Sequence, residues 1–570
     1  MPPINLMQEA WLPVRRLSRR GCIKPHELTD TLTQNPALDL DWPRADFRIA
    51  CLEMLIGLLA TACPPEDEDD WKEWWHNPPS PDILADKFAP LADAFNLDGD
   101  GPRFCQDLED FPGESVPVER LLIDAPGENT VKRNTDLIVK RDRVALIGRP
   151  AAAMALFTLQ AFAPSGGAGH RTSLRGGGPL TTLVRPAAQD PRHRTLWHLL
   201  WANVPYGRPP QPEDLLKVFP WLAATRRSAG DAGTVLGGND AHPLQAFWGM
   251  PRRIRLDIRA AQPGEVCGIT GEPDTAVVTG FRTRPWGVQY VNAAHFHPLT
   301  PTYRAKAGEP PLAVHPQPDG IGYRHWHRLV APDPADQFQP AATVSTFQKR
   351  KPLGSISTAW AEARLLIGGY DMDNMKARTF IEVEMPVFVI ENDQLRQQFL
   401  RFARDLAEGA TQAAVLLRGA IRDALLIEDS DRATVDDVRQ SFFERTTGDF
   451  WATLSATLDS ATFRSEDEFV REAARMEAAA RWQITLRSQA LGIFDETAPL
   501  DPLAPNAAGV LQSGQWKPPP IVAARRNLSL GLQGYGKAGA QLYTILGLAL
   551  PEKKAAKPKP EKPRKAARNG

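Results

Sequence analysis

Cysteine is scarce. The 570-residue chain has five (Cys22, Cys51, Cys63, Cys105, Cys267), odd in number, widely spaced and without a C-x-x-C pair. That argues against a disulfide framework and paired-cysteine zinc motifs, and it fits a reducing, cytoplasmic setting. No apolar run reaches the roughly 18 residues of a membrane span. The start, Met1-Pro2-Pro3-Ile4-Asn5, lacks the basic and apolar regions of a secretory signal. There is no G-x-S-x-G elbow and no Gly-Lys-Ser/Thr phosphate loop. Tight histidine pairs occur only at His295-x-His297 and His325-x-His327. On a strand each pair would put both rings on one face, which keeps a metal-dependent nucleic-acid hydrolase as a minority reading. Net charge is also lacking: 67 Lys and Arg against 68 Asp and Glu give −1. Residues 552–570 alone carry +6, leaving −7 on the rest. Any nucleic-acid site must therefore be a local patch on a mildly acidic body.

Proline is abundant: 52 residues, well above the average usage of about 5%. Long proline-punctuated connections are expected between regular elements, and the length predicts two or three domains. Residues 4–160 read as mixed α/β. Trp11 to Arg15 is strand-like. Arg48 to Thr61 is a helix with a wide apolar face (Ile49, Leu52, Leu55, Ile56, Leu59). Trp71, Trp74 and Trp75 at helical spacing read as a packed aromatic cluster in preference to a ligand cage. Residues 115–150 are polar and basic, a loop or a hairpin with Leu137-Ile138-Val139 as one arm. Pro150 then opens a small-residue helix, Ala151 to Phe162.

After that helix come six glycines in the fifteen residues from Pro164 to Gly178, followed by the strand-like Leu180 to Val184. Glycine frees the backbone for positive φ and removes side-chain bulk. A helix precedes this segment and a strand follows, the reverse of a dinucleotide fingerprint. Two readings stay open. One is a tight surface turn with charged flanks, which composition alone favours. The other is a loop whose amides, with His170, Arg171 and Arg175, meet phosphate or a base edge.

Residues 245–390 look β-rich. Past Glu391 the period becomes helical: Leu395 to Ala424, Val435 to Leu458, Glu466 to Gly492 and Ile521 to Leu546 predict an antiparallel four-helix bundle. The expected class is α+β, with a mixed α/β domain over 1–390, the bundle over 391–550 and a disordered basic tail over 551–570.

Several ordered segments together resemble one family, the large subunit of the type I-E CRISPR Cascade complex (CasA). They are Asn5-Leu6 with Trp11 to Arg15, Asp46 to Ile56, Ser173 to Val184, Ile269 to Glu272, His297 to Pro301, and Gly368 to Arg378. The resemblance spans residues 4–547. It implies a non-catalytic subunit, without cofactor, of an RNA-guided surveillance complex. Such a subunit inspects double-stranded DNA for a short protospacer-adjacent motif (PAM), helps open the duplex and R-loop, and supports recruitment of a helicase–nuclease. Guide pairing reads the target while protein reads the PAM, a division of labour known from another effector class.

Three family elements probe the PAM duplex, largely from the minor groove, whose degenerate code suits promiscuous reading. The glycine loop falls on Gly166, Gly167 and Gly169. The basic finger, commonly lysine, falls on Arg282 or Arg284. The wedge falls on Asn374, Met375 and Lys376, with Met375 where some relatives carry glutamine. An apolar wedge between base steps is physically reasonable. Lys132, Arg133 and Asn134 lie where the family reaches the guide RNA 5′ handle and a neighbouring Cascade subunit. A purely architectural scaffold is the third reading.

Overall fold

The computed structural model describes residues 3–552 except 137–138, 168, 187–193, 230–234, 237–240, 319, 333–336, 351–362, 374, 427–432, 501–507 and 513–514. The expected basic tail and Leu137-Ile138 thus lie outside the described residues. The chain divides into two compact units, one of residues 1–321 and 325–393, the other of 322–324 and 394–570.

The first unit is organised around the helix Ala45–Ala62, longer than the expected Arg48 to Thr61. It is apolar all round and buried over nearly its whole length, so it is a core helix and not a surface one. Each large apolar side chain it buries contributes about 1.5–3 kcal/mol. Helices Arg149–Phe162 and Leu196–Ala202 pack on it. The tryptophans form the expected packed cluster. Trp71 and Trp75 stack at 5.0 Å. Trp71 and Trp201 donate their indole N–H to each other's carbonyl at 2.9 and 2.8 Å, joining helices Glu68–His76 and Leu196–Ala202.

Two sheets matter for the site. In one, strand Arg364–Asp373 pairs antiparallel with Lys376–Pro386 to make a long hairpin. Its other edge pairs with Thr181–Arg185, the strand that follows the glycine segment. In the other, strand Ala276–Arg284 has Arg253–Ala260 along one edge. Its opposite edge takes two short strands end to end. Val116–Pro117 pairs with Phe281 and Gly280, and Ile147–Gly148 with Val278 and Val277. Residues 118–146 are therefore an excursion from one edge position.

The stretch 245–390 is less uniformly β than its composition suggests. Helices Tyr323–Val330 and Ala342–Lys349 interrupt it. His325 and His327 sit on the first of these, about 200° apart around the axis, and not on one strand face.

The second unit is helical, with Asp393–Leu425, Ala433–Asp459 and Glu468–Thr497 as expected. The expected fourth helix is two, Pro520–Gly531 and Gly536–Leu546. Gly534 and Gly536 break it at φ +90° and +75°. Gly539 also brings its backbone against that of Gly531 and Gly534, a close approach that a side chain would block. Phe399, Phe402, Leu406, Leu417 and Ile421 line the first helix's buried face. Trp482 donates its indole N–H to Leu406 O at 3.0 Å.

Candidate nucleic-acid interface

The helix before the glycine segment stops at Ala163, whose backbone is extended. Two turns follow. The first spans Gly166 to His170. The Gly166 N–H donates to His170 O (3.0 Å) and the His170 N–H to Gly167 O (2.7 Å), with Gly167 and Gly169 at φ +73° and +85°. The second spans Ser173 to Gly178 and ends where the Gly178 N–H donates to Phe162 O at 2.7 Å.

These turns bring the expected elements to one segment. Gly169 O accepts the N–H of Trp286 at 2.8 Å. A Cβ on Gly169 would lie 2.9 Å from Pro285 Cβ and from the Trp286 ring. Pro285 and Trp286 directly follow the strand that carries Arg282 and Arg284. At the other end, a Cβ on Gly178 would lie 2.6 Å from Tyr370 O and 3.0 Å from Met372 Cε, on the strand leading to the hairpin tip. Gly167 is different. It is exposed, and a Cβ there would meet nothing within 4 Å.

At the hairpin tip, Asp373 pairs with Lys376. Asn374 lies outside the described residues. Met375 is 60% exposed at φ +71°, in the left-handed region that side chains avoid, and Lys376 is exposed. An exposed apolar side chain held on strained backbone marks a position for functional attention.

The arginines separate by partner. Arg282 is committed. Its guanidinium meets Asp257 at 3.0 Å, Asp110 at 2.8 Å and Phe111 O at 2.8 Å. Arg284 lies over the Phe111 ring at 5.0 Å and has no carboxylate partner among the described residues. Arg175, a flanking cation in both sequence readings of the glycine segment, is buried instead. It donates to Glu53 (2.7 Å), Thr181 (3.1 Å) and Thr300 (3.0 Å) and ties the glycine segment to the core helix. Arg171 donates to Ser228 Oγ and O at 2.8 and 2.7 Å and lies 5.0 Å from the Trp286 ring. Burial, with Arg252 beside it, lowers the His170 pKa, so that ring is neutral near pH 7.

Lys132, Arg133 and Asn134 are exposed on the 118–146 excursion, at the end of the short helix Glu128–Lys132. Lys132 pairs with Glu128 at 2.9 Å in solvent, an interaction of small worth. Asn134, at φ +52°, accepts from Arg141 at 3.0 Å. The excursion leaves and rejoins the edge of the strand that ends in Arg284, so the sheet ties these residues to that strand.

The histidine reading finds no support. Burial, and then Arg175, lower the His297 pKa to about 4. Its Nε2 sits 3.1 Å from Glu53 Oε1, the oxygen that Arg175 also binds. A guanidinium thus occupies the place where a metal would share that carboxylate. No group of three metal-ligating side chains occurs among the described residues. Cys105 is buried, and burial pushes its thiol pKa far up, which argues against a reactive thiolate there.

Sequence reasoning missed Trp286 and Arg252. The first had a signal, an aromatic residue in a Pro-Trp-Gly turn, where it sits at φ +67°. Arg252 had none. It reads as one of three basic residues opening a strand, and only packing puts it beneath the glycine turn.

A family model for the CRISPR-associated protein Cse1 matches residues 5–493. Among solved structures, CasA (Cse1) of Thermus thermophilus is 17% identical with a TM-score of 0.60, covering 96% of this chain and 100% of that one. Cse1 of Acidimicrobium ferrooxidans is 18% identical with a TM-score of 0.57, covering 96% and 98%. A chain of a CRISPR RNA-guided surveillance complex is 15% identical with a TM-score of 0.61, covering 93% and 100%. At such identities the likeness speaks for the fold, and the family rests on the sequence match. With most of its length matched, this chain belongs to the CRISPR-associated protein Cse1 family.

Proposed function

We propose that this chain is the non-catalytic PAM-reading subunit of a cytoplasmic RNA-guided surveillance complex. It recognises the PAM in double-stranded target DNA, helps open the duplex for R-loop formation, and supports recruitment of a helicase–nuclease. The observation that carries the reading is the glycine segment packed against both other elements: Gly169 on Pro285 and Trp286 after the finger strand, Gly178 on Tyr370 and Met372 of the wedge hairpin. Gly166 and Gly167 present bare backbone to a groove. Arg284, with no carboxylate partner among the described residues, takes the role of basic finger, and paired Arg282 supports the strand. Met375 wedges between base steps, with Asn374 beside it and Lys376 at a neighbouring phosphate. Lys132, Arg133 and Asn134 meet the guide RNA 5′ handle or a neighbouring Cascade subunit.

The test is PAM-dependent binding of target duplex by the assembled, guide-loaded complex. Gly169→Asp would displace Trp286 as well as block the loop, so Gly167→Asp is the cleaner variant. It adds bulk and negative charge in open space, at a positive φ where aspartate is less strained than most side chains. Gly167→Asp and Met375→Ala are each expected to weaken binding at least tenfold, about 1.4 kcal/mol. Wild-type affinity in both variants would overturn the assignment. Cross-linking from the glycine turn to DNA separates this reading from that of a purely architectural scaffold.

A further inference from the structure

Arg252 is a half-buried cation with no counter-charge among the described residues. Its Nη2 donates to Pro164 O, its Nε is buried with no hydrogen-bond partner, and no carboxylate among the described residues pairs with it. The next residue, Arg253, points to the opposite face and is matched by Asp107 and Glu109. A guanidinium held this way carries a desolvation cost that no carboxylate among the described residues offsets. Burial lowers its pKa only to about 10, so the charge persists at neutral pH.

Its position gives the missing anion a place. A Cβ on Gly166 would lie 2.5 Å from Arg252 Nη1 and 2.8 Å from His170 Cβ, so the guanidinium lies against the turn and a side chain there would displace it. The N–H groups of Gly167 and Gly169, on left-handed backbone, have no acceptor among the described residues. Amides of this kind beside a cation form a concavity suited to phosphate oxygens. Arg171, the next cation along, also lacks a carboxylate partner among the described residues.

We infer that Arg252, with the amides of Gly167 and Gly169 above it, seats one backbone phosphate of the bound duplex. The inference rests on the DNA-binding reading above and adds a sequence-independent contact to it. That contact fixes the height of the glycine turn over the groove, because a phosphate held at Gly167 sets how far the turn can enter.

The experiment measures the affinity of the assembled complex for PAM duplex across a salt series. It compares wild type, Arg252→Gln, Arg252→Lys and, as comparator, Arg259→Gln, whose arginine is already paired with Glu265. Loss of one phosphate contact makes the slope of log affinity against log salt shallower by about 0.9. Arg252→Gln is expected to show that change and to weaken all PAM variants by the same factor. Arg252→Lys and Arg259→Gln are expected to keep the slope. The thermal midpoint of the free Arg252→Gln chain is expected to be unchanged or raised, since an uncompensated charge has gone. An unaltered slope in Arg252→Gln, or weakening confined to one PAM, would overturn the inference. So would a lowered midpoint with wild-type slope, which would make Arg252 an anchor for Pro164 alone. Wild-type complex without PAM dependence would instead sink the function proposed above, which keeps the two failures apart.

Discussion

Arg175, Arg253 and Arg282 each end on a carboxylate, whereas Arg171, Arg252 and Arg284 have none among the described residues. The first group holds the scaffold, and the second carries the positive charge that the proposals above assign to nucleic acid. The buried cluster of Arg175, Glu53 and His297 also sets an acid limit on the first unit. Burial pushes the Glu53 carboxyl up, but Arg175 and His297 outweigh it and hold the pKa well below the ordinary range. His297 is lowered to about 4, against about 6.5 when unfolded. Between those values the unfolded chain binds the extra proton, so stability falls as pH drops from about 6.5 to about 4, and Glu53 adds to the loss below about 4.3. Denaturant titrations from pH 7 to 4 are expected to show this decline, with a shallower one in His297→Gln, whose side chain does not titrate. Parallel pH profiles would remove His297 from the account.

At the scale of elements, the hairpin proposed to carry the wedge is expected to couple stability and function in opposite directions. Met375 occupies left-handed backbone at the tip, where a non-glycine residue costs roughly 1–2 kcal/mol. Met375→Gly is therefore expected to raise the stability of the first unit by about 1 kcal/mol while weakening PAM-dependent binding as Met375→Ala does. Thermal unfolding and duplex binding on the same preparation read both effects. A variant that loses stability would show that Met375 is held by packing and not by strain. The broken fourth helix shows the same chemistry used structurally, with Gly534 and Gly536 supplying the left-handed residues.

At the scale of the whole molecule, near-zero net charge hides a +6 segment at 552–570 and −7 elsewhere. Deleting residues 552–570 is expected to lower the weak, salt-sensitive affinity of the free chain for any duplex. PAM discrimination in the assembled complex should persist, because the groups proposed to read the PAM lie in the first unit. Loss of discrimination on truncation, measured with matched and mismatched PAM duplexes, would place part of the reader in the tail. No helix among the described residues is long and apolar enough to cross a membrane.

What the sequence determined by itself was set by local periodicity and ordered motifs. It located the helices Ala45–Ala62 and Arg149–Phe162, the three long helices after Asp393, the packed tryptophans and the family. It showed the glycine-rich segment between a helix and a strand, because turns and amphipathic periods depend on neighbours within a few residues, whereas the finger and wedge positions came from the resemblance and stand as proposals. It could not separate Arg175 from Arg252, or Arg282 from Arg284, because a guanidinium is made available or spent by a carboxylate far off in sequence. Glu53 neutralises Arg175 across 122 residues, and Asp110 holds Arg282 across 172. Nor could it see two histidines turned apart by a helix, or a fourth helix broken at glycines that also permit close backbone packing. Those outcomes belong to long-range contacts, and only the folded chain brings their partners together.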